Sequence, residues 1–113
     1  MILNQTDNYI KACMKTWLLC ESCIYSETHS DWPKEQLVTL CRACANACFT
    51  VVCRIINNSE IVQESAFKCL LSCRECYVEC EKYPHTEDIQ YCGQICKYCG
   101  DTLRSLILPI HLN

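Results

Sequence analysis

Cys69-Leu-Leu-Ser-Cys73-Arg-Glu-Cys76-Tyr-Val-Glu-Cys80 is the stretch from which the fold can be read. Its four cysteines follow one another at steps of 4, 3 and 4. At about 100° per residue, these steps hold all four within a stripe about 60° wide on one face of an α-helix. A strand would send them to both faces of a sheet. The same rhythm runs outward in both directions. Downstream it passes through Ile89, Cys92, Cys96, Cys99, Leu103 and Leu106. Upstream it reads Leu37, Cys41, Cys44, Cys48, Val52 and Ile55, and before them Ile10, Cys13, Trp17, Cys20 and Ile24. In every segment cysteine takes positions that face the core of a bundle.

The breaks between segments are short. Glu27-Thr-His-Ser-Asp-Trp-Pro33 is the first, with Ser30 or Asp31 as the expected cap. Asn57-Asn58-Ser59 is the second, with Ser59 as cap, and Tyr83-Pro84-His85-Thr86 the third, with Thr86 as cap. Glu87 and Asp88 then suit the positive end of a helix. Short loops between long helices imply antiparallel neighbours. The expectation is all-α: a single domain over 1–113, an antiparallel four-helix bundle with a cysteine-lined core. Two cysteines fall off the stripes. On a straight helix Cys53 is turned by more than about 100° from Cys41, and Cys23 by about 60–80° from Cys13 and Cys20.

Composition agrees. The chain has 113 residues, the size of one domain, and 14 of them are cysteine. With only 2 glycines and 3 prolines it lacks the turn residues of a disulfide-stapled, loop-rich scaffold. The formal charge is −3 and the 10 basic residues are scattered, which gives no basic stripe for nucleic acid. No run approaches the 18 or more apolar residues of a membrane span. Met1-Ile-Leu-Asn-Gln-Thr-Asp-Asn8 lacks the charged and apolar regions of a signal peptide, so a cytoplasmic protein is expected. There dense cysteine reads as metal-binding or catalytic, not as disulfide.

The spacing sets the chemistry. Residues three and four apart are neighbours on a helix, so a Cys-x-x-x-Cys pair presents two sulfurs to one metal without a loop. Cys44/Cys48, Cys69/Cys73, Cys76/Cys80 and Cys92/Cys96 are such pairs; Cys20/Cys23, Cys41/Cys44, Cys73/Cys76 and Cys96/Cys99 extend them into a ladder. Thiolate selects copper(I), zinc or iron–sulfur clusters. Structural zinc wants closed sets of four ligands, commonly on knuckles and turns, and iron–sulfur sites want three close cysteines on a loop. Copper(I) accepts two or three thiolates, and one sulfur can bridge two ions, so it suits a continuous ladder. One monovalent ion per thiolate also cancels a buried charge that would otherwise be very costly. Empty thiols stay protonated near their ordinary pKa of about 8.5 and pack as small apolar groups. The metal ligands expected on this reading are Cys13, Cys20, Cys23, Cys41, Cys44, Cys48, Cys53, Cys69, Cys73, Cys76, Cys80, Cys92, Cys96 and Cys99.

Cys41-Arg-Ala-Cys44-Ala-Asn-Ala-Cys48, the 69–80 stretch and Cys92-Gly-Gln-Ile-Cys96-Lys-Tyr-Cys99 together resemble the bacterial four-helix-bundle copper storage proteins, over about Tyr9 to Arg104. The resemblance implies a bundle filled with many copper(I) ions on cysteine pairs. It also implies a homo-oligomer, often a tetramer, and a branch without an export signal that works in the cytosol. Trp17 and Leu103 depart from the pattern by standing at stripe positions that could hold cysteine, and Trp17 reads as a core plug at one end. Met14, His29, His85 and His111 are the few candidates for a way in for copper.

Two readings of other classes stay open from the residues alone. One is a thiol redox or disulfide protein using a reactive Cys-x-x-Cys pair, although no βαβ pattern surrounds any such pair. No cysteine stands apart with a histidine and an asparagine or aspartate, so no enzyme is expected. The other is a zinc-binding structural module.

Overall fold

The computed structural model describes residues 3–111, with side chains over 6–107. Four helices follow in order: α1 (Leu3–Thr28), α2 (Glu35–Ile56), α3 (Val62–Cys80) and α4 (Glu87–His111). Each packs on two neighbours, α1 on α2 and α4, α3 on α2 and α4, so the four stand at the corners of a square bundle. Among the described residues there is no strand. The expected all-α four-helix fold is the observed one.

The turns end the helices by identifiable means. After α2 the chain enters the left-handed region at Asn58 (φ 52°). Asn58 N–H then bonds the Ile55 carbonyl at 3.1 Å and Ser59 N–H the Arg54 carbonyl at 2.9 Å, the paired bonds of a Schellman stop. Ser59 caps less directly than expected: its hydroxyl accepts the N–H of Ile61, just outside α3. Neither Ser30 nor Asp31 caps α2. The buried Glu27 carboxylate does related work, accepting the Lys34 N–H at 3.0 Å and so tying the end of α1 to the start of α2. Gln90 clamps the last turn, donating to the Cys80 and Tyr83 carbonyls at 3.0 and 3.1 Å.

Inward positions follow a strict heptad. On α1 they are Tyr9, Cys13, Thr16, Cys20, Cys23 and Glu27; on α2, Leu37, Cys41, Cys44, Cys48 and Val51. On α3 they are Ala66, Cys69, Cys73, Cys76 and Cys80; on α4, Ile89, Cys92, Cys96, Cys99 and Leu103. A seven-residue repeat drifts by about 20° per heptad against straight-helix geometry. The alternating 4-3 repeat over the whole helix corrects two expectations on α1. Cys23 is buried in the core, and Thr16, not Trp17, is the inward residue between Cys13 and Cys20. Thr16 satisfies its buried hydroxyl by donating to the Ala12 carbonyl at 2.8 Å. Trp17 is half-buried on the flank, its ring 6.2 Å from that of Phe49, and plugs no end. The ends are closed by aliphatic residues: Ile24, Leu37 and Ile89 under the α1–α2 and α3–α4 loops, and Val51, Leu103 and Ile107 opposite. Tyr9 joins the second group, its hydroxyl 2.9 Å from that of Ser105.

By length and composition α2 would reach across a bilayer, closer to a span than the run-length reading allowed. Here its apolar side, Leu37 through Val52, is packed against the other helices. The two α4 glycines differ. A Cβ on Gly93 would fall 2.7 Å from Cys80 Cβ, so only glycine permits that close α3–α4 approach. A Cβ on Gly100 would make ordinary contact, 3.7 Å from Cys73 Cβ.

Candidate metal centre

The heptad brings sulfur from all four helices to one axis, and the shortest sulfur–sulfur distances cross between helices. Between α2 and α3, Cys48 and Cys69 lie 3.5 Å apart, Cys44 and Cys73 3.7 Å, Cys41 and Cys76 3.7 Å. Between α1 and α4, Cys13 and Cys99 lie 3.9 Å apart, as do Cys20 and Cys96. Cys44 also reaches Cys96 at 3.9 Å, whereas the pair within one helix, Cys69 and Cys73, is 4.0 Å apart. The sequence-expected i, i+4 pairs are thus the uprights of the ladder, and its rungs are cross-helix contacts. All fourteen cysteines are free thiols.

Four sets have every sulfur within 4.8 Å of the others: Cys13/Cys48/Cys69/Cys99, Cys44/Cys48/Cys73, Cys20/Cys44/Cys76/Cys96 and Cys20/Cys41/Cys76/Cys92. Consecutive sets share members. Cys48 belongs to the first and second, Cys44 to the second and third, Cys20 and Cys76 to the third and fourth. At the loop end the buried Cys23 continues the chain beside Cys41 and Cys92, and Cys80 beside Cys76 and Cys92, each close enough to perturb the other's thiol. Cys53 stands apart, half-buried and in none of the sets.

Donor chemistry along the ladder is sulfur alone. The two buried carboxylates are engaged elsewhere, Glu27 with Lys34 Nζ at 3.5 Å and Glu79 with Lys82 Nζ at 2.9 Å. Without a nearby cation, burial and mutual hydrogen bonding hold most thiols protonated. Cys20 is pushed well up by its hydrogen bond with Cys41, then by Cys44, Cys76 and Cys92, and by desolvation. Cys48 is raised by Cys13, Cys44 and Cys69 in turn, and by desolvation. A few sulfurs in the same network move the other way. Cys69 is drawn down to about 6 by Cys13, then Cys48 and Cys73. Cys44 and Cys92 are lowered chiefly by Cys20, and Cys99 chiefly by Cys13.

A sequence profile of the copper storage proteins matches residues 3–107, which takes in three helices, most of α4 and every cysteine. The chain belongs to the copper storage protein family. No match was found among curated proteins or solved structures. In this family member the candidate accessory ligands lie outside the sulfur sets. Met14 is half-buried and packs against the core. His29 is exposed, stacked on Tyr25 at 4.1 Å with Nδ1 2.8 Å from the Tyr25 carbonyl oxygen. His85 is exposed in the α3–α4 loop, and the side chain of His111 lies outside the described residues. Sequence reasoning missed Thr16 as a core residue and the sharing of sulfurs between sets. The first was legible as a strict heptad; the second depends on which helices are neighbours.

Proposed function

We propose that the protein stores copper(I), holding several ions along the sulfur ladder and performing no turnover. The observation that carries this reading is the sharing of Cys20, Cys44, Cys48 and Cys76 between consecutive sulfur sets. Closed four-coordinate zinc sites would compete for those sulfurs. Copper(I), soft and content with two or three thiolates, uses a shared sulfur as a bridge. Monovalent charge supports the same choice, because each ion replaces one thiol proton and leaves the buried core near neutral. Every cysteine of the ladder is assigned as a ligand. The family resemblance adds a cytosolic homo-oligomer, often a tetramer, and exposed apolar side chains such as Leu18 and Phe49, away from the α3–α4 seam, support an interface between copies.

Anaerobic titration of reduced protein against a copper(I) chelator tests the proposal. Uptake on the order of one ion per thiolate is expected, with zinc bound in smaller number and displaced by copper(I). Saturation at one or two coppers would leave a carrier or a sensor in place of a store.

A further inference from the structure

The α3–α4 seam carries a feature outside the ladder. Arg74 and Tyr77 of α3 and Lys97, Gly100 and Arg104 of α4 line a surface groove of about 320 Å³, with Cys96 in its floor. Asp101 is the one acidic residue on the rim, so the groove is cationic on a chain whose formal charge is −3. Among the described residues neither Arg74 nor Arg104 forms an ion pair, and both are exposed. The Lys97 ammonium sits 6.0 Å above the Tyr77 ring. Two unpaired guanidiniums beside an ammonium and an aromatic face make a docking place for a small anion.

The groove lies over the ladder. Cys96 and Cys73 belong to sulfur sets joined through Cys44. Gly100 puts no side chain between the groove and Cys73, whose Cβ lies 3.7 Å from where a Gly100 Cβ would be. Along the axis the core is capped by buried aliphatic residues, Leu37 and Ile89 at one end and Val51 and Leu103 at the other, and near the loop end a smaller pocket reaches Cys23 but carries Glu27 and Asp88, which disfavour an anion. Beside Gly100, then, the wall of the bundle is thin and the charge outside it is positive.

We infer that this groove is a lateral port, where a small carboxylate-bearing thiolate complex of copper(I) docks on Arg74, Lys97 and Arg104 and passes its ion beside Gly100 to Cys73 and Cys96. The inference rests on the storage reading. The transfer is a ligand exchange: a copper–sulfur bond to the carrier breaks as one to a cysteine Sγ forms. The proton of that cysteine goes to the departing carrier thiolate, and copper stays in the +1 state throughout.

Stopped-flow uptake under anaerobic conditions tests the port, with copper(I)–glutathione as the anionic donor and the copper(I)–acetonitrile cation as the contrast. The Arg74→Gln/Arg104→Gln double variant should take copper from glutathione about tenfold more slowly at low ionic strength, and this deficit should vanish at about 1 M salt. Uptake from the acetonitrile cation should be unchanged or faster. Gly100→Leu should slow uptake from both donors, and Gly100→Ala should stay near wild type. Equilibrium capacity should be the same in all. Wild-type rates from glutathione in the arginine variant, with capacity intact, overturn the port and leave storage standing; this arm does not depend on Gly100→Leu folding. Wild-type saturation at one or two coppers removes storage and the port together.

Discussion

Cys73→Ala should lower copper capacity by more than one ion, and Cys53→Ala should leave it unchanged. Each substitution removes one thiol of equal intrinsic affinity, so the contrast isolates position. Cys73 is fully buried, lies 3.7 Å from Cys44 and 4.0 Å from Cys69, and occupies the set that joins the two halves of the ladder. Its loss interrupts bridging toward both Cys44 and Cys69, so about two coppers should go with it. Cys53 belongs to none of the sets. The fold should survive both changes. A thiol replaced by a methyl within a packed core removes little volume and costs about 1 kcal/mol. Competition with a copper(I) chelator measures the capacities. Equal losses in the two variants would mean that the axial sulfurs do not define the store.

Raising the pH should unfold the empty protein and spare the loaded one. Most core thiols have folded-state pKa values pushed upward, Cys20 and Cys48 among them. Such a group contributes stability that is fully present below the unfolded thiol value of about 8.5 and is lost as pH rises toward its folded value. In that window the unfolded chain has given up protons that the folded chain still holds. Three such thiols remove about 4 kcal/mol per pH unit, enough to exhaust the stability of a small domain within about two units. Cys69, at about 6, is ionised in both states above pH 8.5 and adds no slope there. Copper-loaded protein holds thiolates in both regimes and lacks this linkage. Thermal melts followed by circular dichroism from pH 7 to pH 11 should show the apo midpoint falling steeply above about pH 9 and the loaded midpoint holding. A flat apo profile would show that the core thiols are not held protonated.

Much of this was legible in the chain. The 4-3-4 spacing on 69–80 fixed both the helix and the face that turns inward, and the three breaks fell where the helices stop. A helical wheel at 3.6 residues per turn found the cysteine stripes but misplaced two positions of α1. It set Cys23 off the stripe and took Trp17 for Thr16, because i+3 and i+4 lie almost equally far from the Cys13–Cys20 line, and only the alternating 4-3 repeat from Tyr9 to Glu27 chooses between them. The rungs of the ladder were not legible. Which sulfur meets which across the axis depends on the order of helices around the square and on their vertical offset, and no local spacing encodes either. The basic groove was hidden for the same reason. Arg74, Lys97 and Arg104 are scattered in sequence, and only the packing of α4 on α3 gathers them over Gly100.

Metal analysis of the protein purified without oxygen, under reducing conditions, from copper-supplemented cells tests the central claim most directly. Elemental quantification and a thiol count on the same sample should return copper as the dominant metal, many ions per chain and approaching one per ladder thiolate, with every cysteine recoverable as free thiol after the metal is stripped. One to three zinc ions per chain in its place, or disulfides with no metal, would contradict the claim that this bundle is a store for copper(I).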